Sequence, residues 1–123
     1  MAATNHDLVV IGGGPGGYVA ALRAAQLGLD TAVSAEREPY GATCLNVGCI
    51  PSKALLESSH RFAEARNGLA DHGVVTSKVE LDLAAMQKRK KQIVGRVTKG
   101  VAALLWKRKV KTYTGRGSIE GPE

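Results

Sequence analysis

The sequence contains only two cysteines among its 123 residues, Cys44 and Cys49. Structural zinc sites use four cysteine or histidine ligands at other spacings, and the chain has no second cysteine pair. His60 and His72 could add ligands, although lone histidines more often lie at the surface or pack in the core. We therefore predict no metal site. The two cysteines remain a redox pair or, alternatively, small buried hydrophobic residues, and the redox pair is favoured.

Aromatic residues and long apolar runs are also scarce. Phe, Trp and Tyr make up 4% of the sequence, and the basic runs of its second half contain few of them for stacking on bases. The net charge of +6 could mark a nucleic-acid surface, but a solvated helix face is favoured. No apolar run approaches the roughly 20 residues that cross a bilayer. We predict neither nucleic acid nor a membrane as a partner.

The first residues lack the basic and apolar regions of an export signal, so the sequence predicts a cytoplasmic protein. Structural disulfides are uncommon in the reducing cytoplasm, and catalytic disulfides are the usual exception. Apolar residues make up 44% of the chain, which argues against wholesale disorder. The length allows one domain with one core.

The apolar pattern predicts an α/β fold that begins with a β–α–β unit. Residues 8–11 are a short apolar run typical of a buried parallel strand, and a glycine-rich turn over residues 12–17 follows. We predict a helix over residues 18–27 that ends at Gly28, and a second strand over residues 31–35. Crossovers of this kind are almost always right-handed.

Two long helices and a third strand are predicted after this unit. The first helix begins near Cys44 and is disturbed around Pro51. The second is capped by Asp82 and ends near Lys109, because apolar residues recur there in steps of three and four. This stripe comprises Leu83, Met86, Ile93, Val97, Val101 and Leu104, with Lys90 as its interruption. Residues 110–114 form the third strand.

The glycine-rich turn has the spacing of a dinucleotide-binding fingerprint, with Gly12, Gly14 and Gly17 in the order G-x-G-x-x-G. The first glycine permits the tight turn, the second lets the backbone approach a pyrophosphate, and the third lets helix and strand pack closely. The following helix presents unpaired N–H groups to the phosphates. An acidic residue about 20 positions on binds the ribose. Glu36 is the candidate, Glu38 is the fallback, and a solvated loop carboxylate is the alternative.

Cys44 and Cys49 are too far apart in a regular helix to form a disulfide. Five residues correspond to about 7.5 Å of helix rise, whereas a disulfide needs Cα atoms within about 7 Å. The pair can close only where a helix is distorted or just beginning, and Gly48 and Pro51 favour a distortion. A helix N-terminus also stabilises a thiolate. The pattern therefore predicts thiol–disulfide exchange through a mixed disulfide.

The residues around the cysteines resemble a known family. The run Gly41-Ala-Thr-Cys-Leu-Asn-Val-Gly-Cys-Ile-Pro-Ser-Lys53, preceded by Gly-Gly-Gly-Pro-Gly-Gly-Tyr, is similar to the flavin disulfide oxidoreductases. Within them it most resembles the dihydrolipoamide dehydrogenases. Glutathione and mercuric reductases carry a related signature, usually with Val at the positions of Leu45 and Ile50.

The resemblance implies an FAD-binding Rossmann-like unit and a role for each candidate residue. FAD would lie with its pyrophosphate over the glycine turn and its ribose at Glu36. Cys49 would be the thiolate on the flavin side, and Cys44 would exchange with the substrate. Lys53 would be a cation near the reduced flavin. The implied cofactor-binding residues are Gly12, Gly14, Gly17, Glu36, Gly41, Ala42, Thr43, Lys53 and Gly117.

The resemblance also implies an activity and a domain organisation. Such enzymes oxidise dihydrolipoamide, carried by lipoyl domains of 2-oxoacid dehydrogenase complexes, through the disulfide and FAD, reduce NAD+, and form homodimers. Because family members continue for several hundred residues, we expect residues 1–123 to be the N-terminal part of an FAD-binding domain, without the NAD-binding and dimerisation domains, and to have little activity alone. A small flavin- or nucleotide-binding redox module, or a glutathione or mercuric reductase relative, is the alternative.

Two positions depart from the family pattern. Gly-Gly precedes Thr-Cys in the family, whereas Gly41-Ala42 stands here, and the Cβ of Ala42 would crowd a backbone that packs against flavin. Counting forward from the glycine turn places the acidic residue at Ala35, whereas counting back from the cysteines places it at Glu36. A one-residue insertion reconciles the two counts.

Overall fold

A computed structural model of the protein describes residues 4–121. At its centre is a parallel sheet in which the middle strand is β2 and the outer strands are β1 and β3. The strands are β1 (Leu8–Ile11), β2 (Thr31–Ala35) and β3 (Lys111–Thr114). The predicted α/β class is confirmed. Residues 1–3 and 122–123 of the predicted domain range lie outside the described residues.

Long helices accompany the sheet, as the sequence predicted. The α-helices of the described region are α1 (Pro15–Gln26), α2 (Ala42–Asn46), α3 (Cys49–Ala63) and α4 (Leu83–Lys107). Short π- and 3₁₀-helical segments, Glu64–Gly68 and Ala70–His72, follow α3. The longest helices, α3 and α4, pack against each other, and Arg89 of α4 donates hydrogen bonds to the Ala54 carbonyl and the Ser58 hydroxyl of α3. Within residues 4–121 no helix has the length and apolarity to cross a bilayer.

Helix α1 begins at Pro15, three residues before the predicted start, so the end of the glycine run belongs to its first turn. Proline suits this position because its fixed φ is helical and its missing N–H would have no partner there. The predicted C-terminal signal is confirmed. Gly28 follows the helix with φ at +92°, a conformation that favours glycine.

The predicted helix from Cys44 onward is two helices, and the break lies at Val47 and Gly48 rather than around Pro51. Pro51 is buried in the first turn of α3, where its missing N–H breaks no helical hydrogen bond. Gly48 instead turns the chain, and its amide donates to the Thr43 carbonyl at 2.7 Å. The expectation of a disturbed helix is confirmed, and of the two residues predicted to distort it, Gly48 lies at the break and Pro51 does not.

Helix α4 begins as predicted, because the Asp82 carboxylate accepts a hydrogen bond from the Ala85 amide at 2.9 Å. Its buried face ends on Leu105, which is 1% exposed, rather than on the predicted Leu104, which is 49% exposed. The α-helical period of 3.6 residues explains the difference. Leu105 lies four residues after the buried Val101, and it joins the core of Ala21, Val33, Tyr40, Leu45, Val101, Leu105 and Val110.

Strand β1 is more exposed than the predicted buried strand. Val9 and Ile11 are 54% and 51% exposed, whereas Val10 between them packs against the core from the other face of the strand. In the described part of the chain β1 is an edge strand that pairs with β2 alone. Just before it, His6 Nδ1 lies 3.1 Å from Asp30 Oδ2 and its Nε2 lies 3.0 Å from the Tyr113 hydroxyl. These contacts tie the start of β1 to the other two strands.

Candidate functional site

A groove of about 430 Å³ opens where β1 and β2 end. Its walls are the glycine turn after β1, the loop after β2 and the first residues of α2. The carboxyl edge of a parallel sheet is where open α/β folds bind ligands. Five predicted cofactor-binding residues line this groove: Gly12, Gly14, Glu36, Ala42 and Thr43.

The glycine turn forms one wall of the groove and connects directly to α1. Gly14 is the N-cap residue of α1, and no side chain caps the first amides of that helix, so their N–H groups remain available to an anion. Gly17 has a different function. A Cβ on Gly17 would overlap the Gly12 carbonyl oxygen, so this glycine permits the close contact of turn and helix that the fingerprint predicts.

Tyr40 and Gly41 fix the loop after β2. Tyr40 is 5% exposed, and its hydroxyl donates to the Tyr113 carbonyl at 3.2 Å. Burial raises the pKa of the Tyr40 phenol above its ordinary value. The Gly41 amide donates to the Gly13 carbonyl at 2.7 Å, which joins this loop to the glycine turn.

Sequence reasoning missed Tyr40. The signal that could have found it is a bulky aromatic residue between Pro39 and Gly41. An apolar ring in a loop of turn-forming residues usually has a packing partner. Gly41, which was predicted, is buried rather than exposed in the groove, and its φ of +114° is a left-handed conformation that favours glycine.

Ala42 also has a left-handed backbone, with φ at +45°. This conformation costs a residue with a Cβ about 1–2 kcal/mol, so glycine would fit this position with less strain than alanine. Ala42 lines the groove and lies beside Gly14, so its methyl group narrows the space between the glycine turn and α2.

We expect Ala42→Gly to raise the free energy of unfolding by about 0.5–1 kcal/mol, because relief of the left-handed strain exceeds the added entropy of the unfolded glycine. Thermal or urea unfolding measures the change. Ala103→Gly, at an exposed position of α4, is the matched control and should lower stability by about 1 kcal/mol. Equal losses from both substitutions would contradict the assigned strain.

The two cysteines form a disulfide across the break between α2 and α3, with Cα atoms 4.6 Å apart. This distance confirms that the pair closes only because the helix is interrupted. Cys44 is half-buried against the core, whereas Cys49 is exposed and is the first residue of α3. The N-terminus of that 15-residue helix favours negative charge on the Cys49 sulfur.

Two further predicted cofactor-binding residues, Lys53 and Gly117, lie outside the groove lining. Lys53 is exposed one turn beyond Cys49 on α3. Gly117 follows β3 and packs against β1, since a Cβ there would lie 3.0 Å from Ile11 Cγ2. Glu38, the fallback for Glu36, lines the groove but accepts a hydrogen bond from the Thr114 hydroxyl at 2.9 Å. Glu36 is therefore the freer of the two carboxylates in the described structure.

The basic residues that raised the question of a nucleic-acid surface lie mainly on α4. This helix carries Lys88, Arg89, Lys90, Lys91, Arg96, Lys99 and Lys107 and no acidic residue. Their side chains form no ion pairs with carboxylates among the residues described. Such a face is compatible with solvation, and the absence of a nucleic-acid partner stays a prediction.

Comparisons with known proteins agree with the motifs. The family model described as pyridine nucleotide-disulphide oxidoreductase matches residues 6–123. The chain is 54% identical over 117 residues to a mitochondrial dihydrolipoyl dehydrogenase of Pisum sativum and to a leghemoglobin reductase of Vigna unguiculata. It is 53% identical over 121 residues to a dihydrolipoyl dehydrogenase of Bacillus subtilis. These matches cover 95–98% of the chain but only 22–25% of the relatives.

Proposed function

Because this chain belongs to the pyridine nucleotide-disulphide oxidoreductase family, we propose that it binds FAD in the groove and exchanges electrons with a dithiol through the Cys44–Cys49 disulfide. The observation that supports the proposal is the position of α2 at the edge of the groove. This helix lines the groove with Ala42 and Thr43, and the next residue is Cys44. The redox pair therefore begins at the wall of the nucleotide groove.

The residues present fit FAD. A Cβ built on Gly12 or Gly16 meets no atom within 4 Å, so the turn leaves open space for a pyrophosphate. The free amides at the start of α1 supply donors, and the Glu36 carboxylate on the groove wall can accept from ribose hydroxyls. FAD, when bound, supplies a two-electron acceptor. Lys53 and Gly117 are further proposed contacts.

The substrate class we propose is a small dithiol of the dihydrolipoamide type. One substrate thiolate attacks Cys44 Sγ, the disulfide breaks, and Cys49 leaves as a thiolate that the N-terminus of α3 stabilises. The second substrate thiolate attacks the mixed disulfide, closes a substrate disulfide and releases the Cys44 thiolate. The two substrate thiols lose their protons to water when they form thiolates, and the cysteine pair gains the two electrons that the substrate loses.

Wider roles are proposed for the whole protein. The chain spans about a quarter of the length of the curated relatives it matches, and we propose that it is the N-terminal part of an FAD-binding domain. We also propose that the whole protein reduces NAD+, forms a homodimer and has the lipoyl domains of 2-oxoacid dehydrogenase complexes as partners. The cytoplasmic location stays a prediction, and the names of several relatives include the word mitochondrial.

Titration of the oxidised chain with FAD tests the proposal. We expect saturable quenching of flavin fluorescence, competed by ADP, because the turn, α1 and Glu36 recognise the adenosine diphosphate half. Gly14→Val should weaken binding at least about tenfold by filling the groove, and Glu36→Gln should weaken it about threefold to tenfold.

Gly100→Ala provides the control for the FAD titration. Gly100 is exposed on α4 and distant in sequence from the groove residues, so its substitution should leave FAD affinity unchanged. If the folded, oxidised wild-type chain bound no FAD at any concentration, the proposal that this chain binds FAD would be wrong.

A further inference from the structure

We propose that Tyr40 is a positioning residue that holds the glycine turn and the disulfide-bearing helix α2 against the same groove. The inference rests on the proposed function, since the groove is the proposed FAD site. It adds a residue for which the glycine fingerprint and the cysteine motif carry no signal. Three contacts of Tyr40 and its neighbour Gly41 support it.

The first contact is between the Tyr40 ring and the middle of the glycine turn. A Cβ built on Gly13 would lie 2.6 Å from Tyr40 Cδ1, so the ring packs directly against the Gly13 backbone. The ring also borders a second, smaller cavity of about 230 Å³, whose other walls include Leu105, Trp106 and Val110. Tyr40 therefore lines both the groove and that cavity, and its ring packs against the glycine turn.

The second contact anchors the other end of the side chain. The Tyr40 hydroxyl donates to the Tyr113 carbonyl of β3 at 3.2 Å. The ring therefore connects the turn after the edge strand β1 with the strand on the opposite side of β2. Because its hydroxyl is hydrogen-bonded to the backbone of the sheet, the ring is held in a fixed position against Gly13.

The third contact links the loop of Tyr40 to α2, the helix that carries Cys44. The Gly41 amide donates to the Gly13 carbonyl at 2.7 Å, and the Gly41 carbonyl accepts from the Leu45 amide in α2 at 3.2 Å. Cys44 precedes Leu45 in the same helix. Direct contacts therefore join the glycine turn to α2 through Tyr40 and Gly41.

A site for a pyrophosphate gains affinity when its amides are already in place before binding. Loss of the Tyr40 hydroxyl would leave the ring but release its anchor to β3, so the loop and the turn could shift relative to the sheet. A residue that merely filled the core would affect stability and leave FAD affinity among folded molecules unchanged. This difference separates a positioning role from a packing role.

The test compares Tyr40→Phe with Tyr113→Phe in the full chain. Each substitution removes one hydroxyl. The Tyr40 hydroxyl lies 3.2 Å from the Tyr113 carbonyl and 3.5 Å from the Val33 carbonyl, whereas the Tyr113 hydroxyl contacts His6, and Tyr113 does not line the groove. We expect Tyr40→Phe to weaken FAD binding about fivefold, the equivalent of one hydrogen bond, and Tyr113→Phe to leave it within about twofold. Both variants should lower the unfolding temperature.

Amide hydrogen exchange of the FAD-free chain supplies a readout that does not depend on FAD. The Gly41 amide should exchange about fivefold faster in Tyr40→Phe than in the wild type, and no faster in Tyr113→Phe. Unchanged exchange, unchanged affinity, or a Tyr40→Phe chain that fails to fold while Tyr113→Phe folds would each overturn the positioning role. If the wild type binds no FAD, the proposed function fails, and the exchange of Gly41 alone decides whether Tyr40 positions the loop.

Discussion

Cys44→Ser and Cys49→Ser are each expected to abolish the oxidation of a dithiol by the chain. With one sulfur remaining, the attack of a substrate thiolate has no intramolecular disulfide to break, and the pair of electrons has no acceptor. Single-turnover oxidation of dihydrolipoamide by the oxidised wild type should produce two protein thiols from the disulfide. Neither variant should gain protein thiols, and the rate of dihydrolipoamide oxidation should fall by about a thousandfold or more.

The same two variants test which cysteine forms a thiolate more readily. Cys49 at the N-terminus of α3, measured in Cys44→Ser, should react with iodoacetamide about two- to fivefold faster than Cys44, measured in Cys49→Ser. The exposed position of Cys49 favours the same order. Alkylation in urea is the control, because both cysteines should then react at similar rates. Faster reaction of Cys44 in the folded chain would contradict the assignment of Cys49 as the leaving thiolate.

Gly17→Ala is expected to have the largest effect on stability. The new methyl group would overlap the Gly12 carbonyl oxygen, and neither group can move without separating α1 from the turn after β1. Losses from overpacking a backbone contact reach about 3 kcal/mol or more, a large fraction of the stability of a small domain. Urea unfolding followed by circular dichroism measures the loss, and FAD affinity should fall with it.

Gly16→Ala is the matched control for this prediction. Gly16 is adjacent in the same turn of α1, and a Cβ there meets no atom within 4 Å. Alanine should therefore keep or raise stability by up to about 1 kcal/mol, because it is the better helix former. Similar effects of the two alanines would show that the contact between Gly17 and Gly12 does not limit the packing of α1.

Much of the local structure could be predicted because its causes are local. The local sequence predicted each of the three strands described, the first of them from an apolar run, and Gly28 and Asp82 predicted helix ends that the structure confirms. The errors arose where neighbouring residues carried competing signals. Gly48 and Pro51 were both predicted to distort the helix. Pro51 lies in a first turn where it is tolerated, and Gly48 lies at the break.

The sequence by itself determined the chemistry that the chain can support. The glycine spacing and the two cysteines are encoded within short segments, and these residue types at these spacings predict phosphate binding and thiol exchange. Only the tertiary structure decided how these segments meet. The contacts of Tyr40 with Gly13 and with Tyr113 join residues 27 and 73 positions apart, and pairings between such distant residues depend on the packed sheet and leave no local pattern in the sequence.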